Sequence, residues 1–317
     1  MSFSSRAKGE ICRNDTRRSC CKLAELAALI HTSGTIITND KTIVYLKVAS
    51  ENAFIARRIF MLVKDLFQLT PEVLVRRNRR LRKNKIYVVI INIKGNCYRT
   101  FIDMGILNND EHDNVIINMD ISDQLIQKKC CKKAYLRGAF LGGGSVSDPE
   151  KAYHLEFVAN SNKYGERLCD LIKAFNLHAR LIERKNSYVI YIKEGEHIVN
   201  LLSLIGAHTA LLNFENVRIV KDMRNNINRI VNCETANLGK TINASMRQIK
   251  NIEYIRDNIG FDNLAPNLRE IAELRIKHPD ASLRELGEML TPRIGKSGVN
   301  HRLRKLDRIA EELQNKL

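Results

Sequence analysis

The chain has few aromatic residues and no long hydrophobic run. Of its 317 residues, 6% are aromatic and none is tryptophan, whereas 44% are hydrophobic and 27% are charged. This balance supports an ordinary folded core and excludes a wholly disordered chain. The longest apolar run, residues 86–91, is far shorter than the roughly 20 residues that a membrane helix needs. Residues 1–13 are charged and carry no secretory signal, so we expect a cytoplasmic protein without membrane contact.

The cysteines show no familiar metal-binding spacing. No two of them form a C-x-x-C pair, the pattern with which zinc sites commonly begin. Adjacent cysteines on a helix point to different sides and rarely share a metal ion. We therefore expect reduced, mostly buried thiols, with no metal site and no cofactor. The eight cysteines are Cys12, Cys20, Cys21, Cys97, Cys130, Cys131, Cys169 and Cys233.

Acidic residues are scarce relative to basic ones. The chain contains 52 Lys and Arg against 35 Asp and Glu, a formal net charge of +17. An excess of this size indicates a polyanionic partner, although a generally basic chain without such a partner is the alternative. Residues 1–221 carry +13 of the excess and residues 222–317 carry +4. Both parts of the chain could therefore contact a polyanion.

An internal repeat organises the first two thirds of the chain. Residues 20–22 read CCK and recur as residues 130–132. Residues 48–54, VASENAF, likewise match residues 158–164, VANSNKY. Several such matches in the same order indicate a duplicated unit rather than chance.

Each copy predicts the same order of elements. In the first copy, a helix-forming segment at residues 23–30 stops at Gly34, and two β-branched runs follow. A second helix over residues 51–68 and two further strands complete an αββαββ unit. A short closing helix is expected near Leu107 or, in the second copy, near residues 197–204.

Two similar segments lie at matching places in the two copies. Residues 26–34 read LAALIHTSG, and residues 136–144 read LRGAFLGGG. Both segments resemble the motif of the LAGLIDADG homing endonucleases. The resemblance implies two motif helices packed side by side on a pseudo-twofold axis, with a saddle of strands that follows the DNA duplex. The small residues that would allow this close packing are Ala27, Ala28, Gly138 and Ala139.

The chemistry of that family depends on the eighth position of the motif. There an acidic residue from each helix holds a divalent metal ion beside the scissile phosphate. In this chain the two positions are Ser33 and Gly143, and neither offers a carboxylate. His31 stands at an earlier acidic position and cannot replace two bridging carboxylates. We expect a retained scaffold that is not an enzyme, with an active endonuclease as the alternative.

A cluster of cations lies between two predicted strands of the first copy. Residues 76–83 read RRNRRLRK. We interpret them as phosphate contacts, which give affinity but no sequence information; a solvated basic turn is the alternative. It is also open whether the duplicated domain binds DNA or protein. The predicted secondary phosphate contacts are Arg76, Arg77, Arg79, Arg80, Arg82 and Lys83.

Beyond residue 221 the pattern becomes helical. Residues 222–265 predict a linker of one or two amphipathic helices, with Gly239 as the joint. Residues 266–317 then predict a helix-turn-helix domain. Its second helix begins with the capping box SLRE, and a cap at Ser297 precedes a third helix over residues 298–313. The connector between these two helices is longer than usual, which weakens the generic match.

The polar face of the third helix suits the major groove of DNA. Asn can pair bidentately with adenine and Arg with guanine, while Lys and His can contact phosphates or base acceptors. An ordinary polar face on a small helical bundle is the alternative. The predicted DNA-binding residues are Ser282, Arg284, Lys296, Ser297, Asn300, His301, Arg302, Arg304, Lys305 and Arg308.

Three separated segments of the chain form distinctive motifs. Residues 1–5 read MSFSS, residues 232–237 read NCETAN, and residues 295–303 read GKSGVNHRL. In this order they resemble the WhiA family. The resemblance covers the whole chain. It implies a degenerate LAGLIDADG domain joined to a helix-turn-helix, in a DNA-binding transcriptional regulator of Gram-positive bacteria. Members are tied to sporulation in some lineages and to cell division and chromosome segregation in others.

The expected fold is therefore α+β. A duplicated αββαββ domain, with its first repeat at residues 1–125 and its second at residues 126–221, is followed by an all-α helix-turn-helix. The expected partner is double-stranded DNA, with other regulatory proteins as possible partners. One pseudo-twofold scaffold per chain needs no dimer, so we expect a nucleoid-associated monomer. A nucleoid-associated or protein-interaction factor that binds DNA loosely is the main alternative.

Overall fold

The strands among the described residues lie in the first two thirds of the protein. The computed structural model describes residues 1–39, 42–77, 85–93, 96–109, 115–185 and 187–315, and within these ranges every strand ends before residue 193. The chain forms two compact units, Met1–Lys221 and Asp222–Leu317. The first unit mixes helices and strands and the second is helical, as the predicted α+β class requires.

The first copy of the repeat follows a short N-terminal helix and has the predicted order of elements. Two features were not predicted, the N-terminal helix and a small hairpin after the closing helix. The elements are α1 (Phe3–Ile11), α2 (Ser19–Ser33), β1 (Gly34–Asn39), β2 (Thr42–Ser50), α3 (Ala53–Phe67), β3 (Glu72–Arg77), β4 (Lys85–Asn92), α4 (Asn96–Asp103), β5 (Leu107–Asn109) and β6 (Val115–Ile117).

The described residues of the second copy repeat the same order without the hairpin. Its closing helix lies where residues 197–204 predict it. The elements are α5 (Lys129–Gly143), β7 (Gly144–Val146), β8 (Leu155–Ala159), α6 (Asn162–Lys173), β9 (Arg180–Arg184), β10 (Ser187–Ile192) and α7 (Gly195–Ile205).

The helix expected near Leu107 is instead a strand. The closing helix of the first copy, α4, ends at Asp103, and Gly105 adopts a φ of 70°, a left-handed conformation that stops a helix. Leu107 then pairs with Ile117 in the β5–β6 hairpin. The predicted helix lies too late in the sequence because Gly105 was not taken as the residue that ends it.

The two sheets have matching topology, which confirms the duplication. One sheet has the order β1-β2-β4-β3 and the other β7-β8-β10-β9, and all their pairings are antiparallel. In each sheet the fourth strand in sequence pairs with the second strand as well as with the third. The third strand, β3 or β9, therefore lies at one edge of its sheet. The edge strand β3 is exposed along its whole length.

The two motif helices, α2 and α5, pack against each other through small side chains. Ala27, Ala28 and Ala139 are fully buried. A methyl group added at Gly138 would collide with the backbone oxygen of Glu25 and lie 2.9 Å from the Ala28 Cβ. The predicted small residues therefore set the distance between the two helices.

A buried carboxylate joins the two copies at this interface. Glu25 on α2 has no exposed surface, and its Oε1 accepts a hydrogen bond of 2.7 Å from Nε of Arg58 on α3. Its Oε2 lies 3.4 Å from Nη1 of Arg137, which comes from α5 of the second copy. Thr16 Oγ1 donates to the same oxygen at 3.3 Å. Two guanidinium groups and a hydroxyl thus offset the desolvation of a fully buried negative charge.

The second unit contains most of a long helix and, among its described residues, three shorter α-helices. These are α8 (His208–Ile259), which begins in the first unit, followed by α9 (Pro266–Lys277), α10 (Leu283–Met289) and α11 (Lys296–Gln314). Their core includes Ile252 and Ile255 from α8, Ile271 from α9, Leu286 from α10 and Leu303 from α11. The end of the expected linker is therefore part of the helical core.

The joint predicted at Gly239 is wrong, because α8 runs through it without a break. One glycine costs a helix interior only about 1 kcal/mol, which the long flanking helical segments outweigh. Within the described part of the chain, no helix is both long and apolar enough to cross a membrane.

Half of the cysteines are buried, fewer than predicted. Cys21, Cys97, Cys131 and Cys169 are buried and Cys233 is exposed, with the remaining three at intermediate exposure.

We predict that Gly138→Ala lowers the free energy of unfolding of the first unit by about 1–3 kcal/mol, because the methyl group overpacks the α2–α5 interface. Calorimetric unfolding of the full chain measures the effect. Gly239→Ala is the matched control. Among the described residues nothing lies within 4 Å of a Cβ added there, so it should stabilise by about 0.5–1 kcal/mol. Equal effects of the two substitutions would contradict the packing argument.

Candidate nucleic-acid interface

The capping box predicted at the start of α10 is confirmed. Ser282 Oγ accepts from the backbone N–H of Glu285 at 3.3 Å, and Glu285 Oε2 accepts from the N–H of Ser282 at 2.7 Å. The hydrogen bond from the Ser282 backbone lowers the pKa of Glu285. These bonds fix the start of α10 and hence the orientation of the helix pair.

A close approach in the connector sets the position of α11 against α10. The backbone N–H of Ile294 donates to the carbonyl of Gly287 at 3.1 Å. A Cβ at Gly287 would collide with the carbonyl oxygen of Ile294 and lie 3.2 Å from Val299 Cγ2 on α11. Only glycine fits this position while the connector folds over α10.

The cap predicted at Ser297 is wrong. The last helix of the unit, α11, begins at Lys296, two residues before the predicted start at residue 298, and Gly295 is its N-cap with extended backbone angles. Among the described residues no side chain caps this helix. Ser297 therefore lies exposed within the first turn, where free backbone N–H groups can face a phosphate.

The last helix, α11, separates its apolar and polar faces as predicted. Its buried stripe consists of Val299, Leu303, Leu306 and Ala310. The other face forms a depression with three cationic side chains and one acidic one, lined by Ser297, Asn300, His301, Arg304, Lys305, Arg308, Ile309 and Glu312.

Arg302 does not share that face. Its side chain is 22% exposed, and Nη1 lies 4.0 Å from Oε2 of Glu270 on α9. The same nitrogen donates to the backbone oxygen of Asn267 at 3.4 Å. Arg302 therefore ties α11 to α9, although residue type alone grouped it with the DNA-binding residues.

A groove beside this face contains residues of the predicted linker. One wall is the stretch of α8 that carries Lys240, Thr241 and Arg247, and the other is formed by α10 and α11. Sequence reasoning missed these α8 residues because their only signal was a polar helix pattern. The predicted residues that the groove brings together are Ser282, Arg284, Lys296, Asn300 and Arg304.

The carboxylate of Asp307, which lines this groove, interacts with neighbouring side chains. Asp307 Oδ1 accepts 2.7 Å from Asn251 Nδ2, and Oδ2 lies 3.6 Å from Arg247 Nη2. Arg284 has an exposed partner, with Nε 3.1 Å from Oε1 of Glu288. The groove therefore presents more positive than negative charge.

A buried arginine positions the start of α10 at the edge of the groove. Arg275 is 3% exposed, and its Nη1 donates to the carbonyl of Ala281 at 2.7 Å. Burial lowers the pKa of this guanidinium. From α8, Ser245 Oγ donates to the carbonyl of Pro279 at 2.6 Å. These contacts hold the loop between α9 and α10 against α8.

The basic segment of the first copy begins at the edge of the sheet. Arg76 and Arg77 end the exposed edge strand β3. In the second copy, the corresponding edge strand β9 carries exposed Arg180 and Arg184. The other predicted phosphate contacts, Arg79, Arg80, Arg82 and Lys83, lie outside the described residues.

The ends of the two motif helices meet without carboxylates at the eighth positions. Ser33 Oγ donates to the carbonyl of Leu29 at 2.8 Å, and a Cβ at Gly143 would lie 3.5 Å from the Cβ of Thr32. A hydroxyl bonded to its own helix and a glycine cannot supply two bridging ligands to a hard cation.

Behind these ends lies a buried polar cluster. His31 Nδ1 and the hydroxyl of Tyr135 share a 2.6 Å hydrogen bond, and Tyr135 donates to the Tyr164 hydroxyl at 3.4 Å. Burial lowers the pKa of His31 to about 4, against the opposing charge of Asp120, and raises the pKa of both tyrosines. Within the described residues His31 Nε2 has no hydrogen-bond partner. The histidine is therefore a neutral core residue.

A duplicated LAGLIDADG-type domain followed by a helix-turn-helix defines the class of protein. Three family models match successive parts of the chain: the WhiA N-terminal LAGLIDADG-like domain at residues 19–100, the WhiA LAGLIDADG-like domain at residues 132–224, and the WhiA C-terminal HTH domain at residues 227–310. The chain belongs to the WhiA family.

Relatives match over their full length. The probable cell division protein WhiA of Alkaliphilus metalliredigens (strain QYMF) is 54% identical over 316 residues, which cover 100% of this chain and 99% of the relative. The protein of the same name from Clostridium botulinum (strain Hall) is 49% identical over 315 residues, covering 99% of each.

Solved structures agree with the fold. Full-length DUF199/WhiA from Thermatoga maritima has a TM-score of 0.60 at 26% identity and covers 98% of this chain and 99% of its own. The N-terminal LAGLIDADG domain of DUF199/WhiA has a TM-score of 0.51 at 22% identity, covering 65% of this chain and 90% of its own. The second likeness concerns the fold alone.

We predict that His31 makes the first unit less stable in acid. In the unfolded chain this histidine binds a proton near its ordinary pKa of 6.5, whereas in the folded chain the histidine stays neutral until about pH 4. Between these two pKa values the unfolded state therefore holds one more proton than the folded state. The free energy of unfolding falls as the pH falls through this range, by about 3 kcal/mol in total. Urea denaturation across this range measures the loss.

His31→Gln should flatten that part of the pH profile. The exposed His301 of the second unit provides the matched control, His301→Gln, which should leave the profile of the first unit unchanged. An unaltered profile in the His31→Gln protein would show that another group controls the acid sensitivity.

Proposed function

We propose that the protein is a non-catalytic, sequence-specific DNA-binding transcriptional regulator. The observation that carries the proposal is the exposed face of α11, where Asn300, Arg304 and Arg308 stand beside a cationic groove. Asn and Arg in such an array match the hydrogen-bonding edges of adenine and guanine in the major groove. The first turn of α11 supplies backbone N–H groups for a phosphate next to those bases.

The groove supports a precise docking of α11 on the duplex. Lys240 and Arg247 from α8 and Lys296 from α11 line the same concave surface. Cations on either side of a reading helix can bind the phosphates that border the major groove, and such contacts determine its register. DNA binding by this unit thus combines base recognition with electrostatic attraction.

The duplicated domain contributes affinity in this proposal, and not chemistry. Most of the net positive charge lies in residues 1–221, and the edge strands β3 and β9 expose arginines. Ser33 and Gly143 leave the ends of the motif helices without the paired acids of a nuclease. The domain therefore acts as a scaffold that binds phosphates without cutting them.

The cellular role that we propose follows the family. Relatives that match this chain end to end are named probable cell division proteins. We infer that this protein acts in the cytoplasm on the nucleoid, as a monomer, and regulates genes for cell division and chromosome segregation or for sporulation. Other regulatory proteins are a second class of partner.

We predict that Arg304→Ala loses about 1–3 kcal/mol of discrimination at one base position. The experiment first selects a preferred duplex from a random pool and then measures competition by duplexes with single base changes. Arg302→Ala is the matched control because Arg302 faces α9. It should reduce stability but keep the base preferences. A loss of preference that is equal in both variants would contradict the assignment of α11 as the reading helix.

We also predict that Arg77→Ala weakens binding to all duplexes alike. One lost phosphate contact should lower the slope of log affinity against log salt by about 1. Arg17 precedes α2, and its side chain is 92% exposed. Arg17→Ala removes the same charge at another site and should leave the slope unchanged. An altered base preference in Arg77→Ala would contradict the proposed division of labour.

The absence of catalysis has its own test. The full-length protein is incubated with supercoiled DNA that carries its preferred site, with Mg²⁺ or Mn²⁺. We expect intact plasmid at protein concentrations that saturate binding. Reproducible nicking that a chelator abolishes would show that the protein is an endonuclease. Binding without any base preference would favour a nucleoid-associated factor.

A further inference from the structure

Two pairs of cysteines meet at the start of the motif helices. Cys20 and Cys21 lie in the first turn of α2, and Cys130 and Cys131 occupy the same positions in α5. All four Sγ atoms lie within 4.8 Å of one another, and those of Cys130 and Cys131 are 3.9 Å apart. The expectation that adjacent cysteines point apart fails here, because the pseudo-twofold packing of α2 on α5 turns both pairs toward the axis.

The spacing of the sulfur atoms fits a single tetrahedral ion. A zinc ion bound by four thiolates at about 2.3 Å separates the sulfur atoms by about 3.8 Å. The cluster therefore needs to contract by less than about 1 Å to meet this geometry. A cubane iron–sulfur cluster would hold the four sulfur atoms farther apart, since its own atoms lie between them.

Burial raises the pKa of the Cys21 and Cys131 thiols, whereas the helix ends and a nearby arginine stabilise negative charge at the cluster. Both helices direct their N-terminal ends at the cluster, and among the described residues no side chain caps either of them. Helix N-termini stabilise negative charge and lower the energy of a thiolate. Arg18 adds a cation, with Nη1 3.8 Å from the Cys130 sulfur. A dianionic tetrathiolate site would therefore be offset by two helix dipoles and a guanidinium group.

The burial of the four residues suits a structural site. Cys21 and Cys131 are 7% and 3% exposed, and Cys20 and Cys130 are half-buried. The inner pair is thus shielded, while the outer pair leaves an approach for an ion from solvent. Four protein ligands fill a tetrahedral shell and leave no position for substrate or water.

We propose that Cys20, Cys21, Cys130 and Cys131 together bind one thiophilic divalent ion, Zn²⁺, that joins the two copies of the repeat. Each thiol releases its proton to solvent as its sulfur binds the metal. The ion would tie the start of α2 to the start of α5, at the opposite end of the helices from the positions of Ser33 and Gly143. This role is independent of DNA binding by the second unit.

Cobalt substitution of the full-length protein tests the proposal. The reduced protein is stripped of metal and titrated with Co²⁺. We expect one equivalent to produce thiolate-to-cobalt charge transfer and the intense visible bands of tetrahedral cobalt, both abolished by one equivalent of Zn²⁺. A second group of possible ligands, His178, Glu194 and His197, contains no sulfur, so the charge-transfer band reports on cysteines alone.

Two variants separate the site from other thiols. Cys20→Ser combined with Cys130→Ser alters only the half-buried pair and should abolish the cobalt bands. Cys233→Ser changes the exposed cysteine of α8 and should leave them intact. In calorimetry, zinc should raise the unfolding temperature of the wild type and of Cys233→Ser but not that of the double variant.

The proposal is overturned if reduced wild-type protein shows no tetrahedral cobalt spectrum and retains no zinc by elemental analysis. It is also overturned if mass spectrometry of protein isolated under cytosolic reducing conditions shows a disulfide between the two pairs. Because the wild-type spectrum needs no variant, a folding defect in the double variant does not affect this test.

Discussion

The close packing of α2 on α5 along the pseudo-twofold axis is the constraint on which the rest of the first unit depends. Gly138 and the alanines opposite it permit the approach. The approach in turn buries Glu25 among arginines from both copies and brings the ends of the two motif helices together. At the other end of the same helices it gathers four cysteine sulfurs. One packing geometry therefore determines the core, the end that carries Ser33 and Gly143, and the proposed zinc site.

This domain keeps the fold of the LAGLIDADG motif without acidic residues at the eighth positions. A serine and a glycine stand where paired carboxylates would hold a metal, and a neutral buried histidine lies just behind them. The sheets and the basic edge strands do not depend on those acids, so they can persist without them. In our account base recognition belongs to the helix-turn-helix unit, where α11 presents its polar face beside cations contributed by α8. The net charge, large on the duplicated domain and small on the second unit, is consistent with nonspecific attraction by the first and selective contacts by the second.

Features encoded by local or periodic patterns could be predicted from the sequence. The repeat predicted two copies of one topology, the serine and glutamate of α10 predicted their capping box, and the spacing from Val299 to Ala310 predicted the buried face of α11. Features that depend on tertiary packing were missed. Arg302 faces α9 because of its angular position on α11, and Lys240 and Arg247 line the groove only because α8 continues unbroken into the second unit. The two cysteine pairs of the cluster lie 110 positions apart in the sequence. Neither pair alone indicates a metal site.

The central claim is that α11 selects the DNA sites of this protein while the duplicated domain supplies affinity without cleavage. Genome-wide mapping of bound sites tests it most directly, with the wild type compared with a full-length variant in which Asn300, Arg304 and Arg308 are all alanine. The account predicts that the wild type occupies a discrete set of sites sharing one short sequence. The variant should lose that set while keeping diffuse binding across the chromosome. Retention of the same discrete sites by the variant would contradict the account, because selection would then lie outside α11.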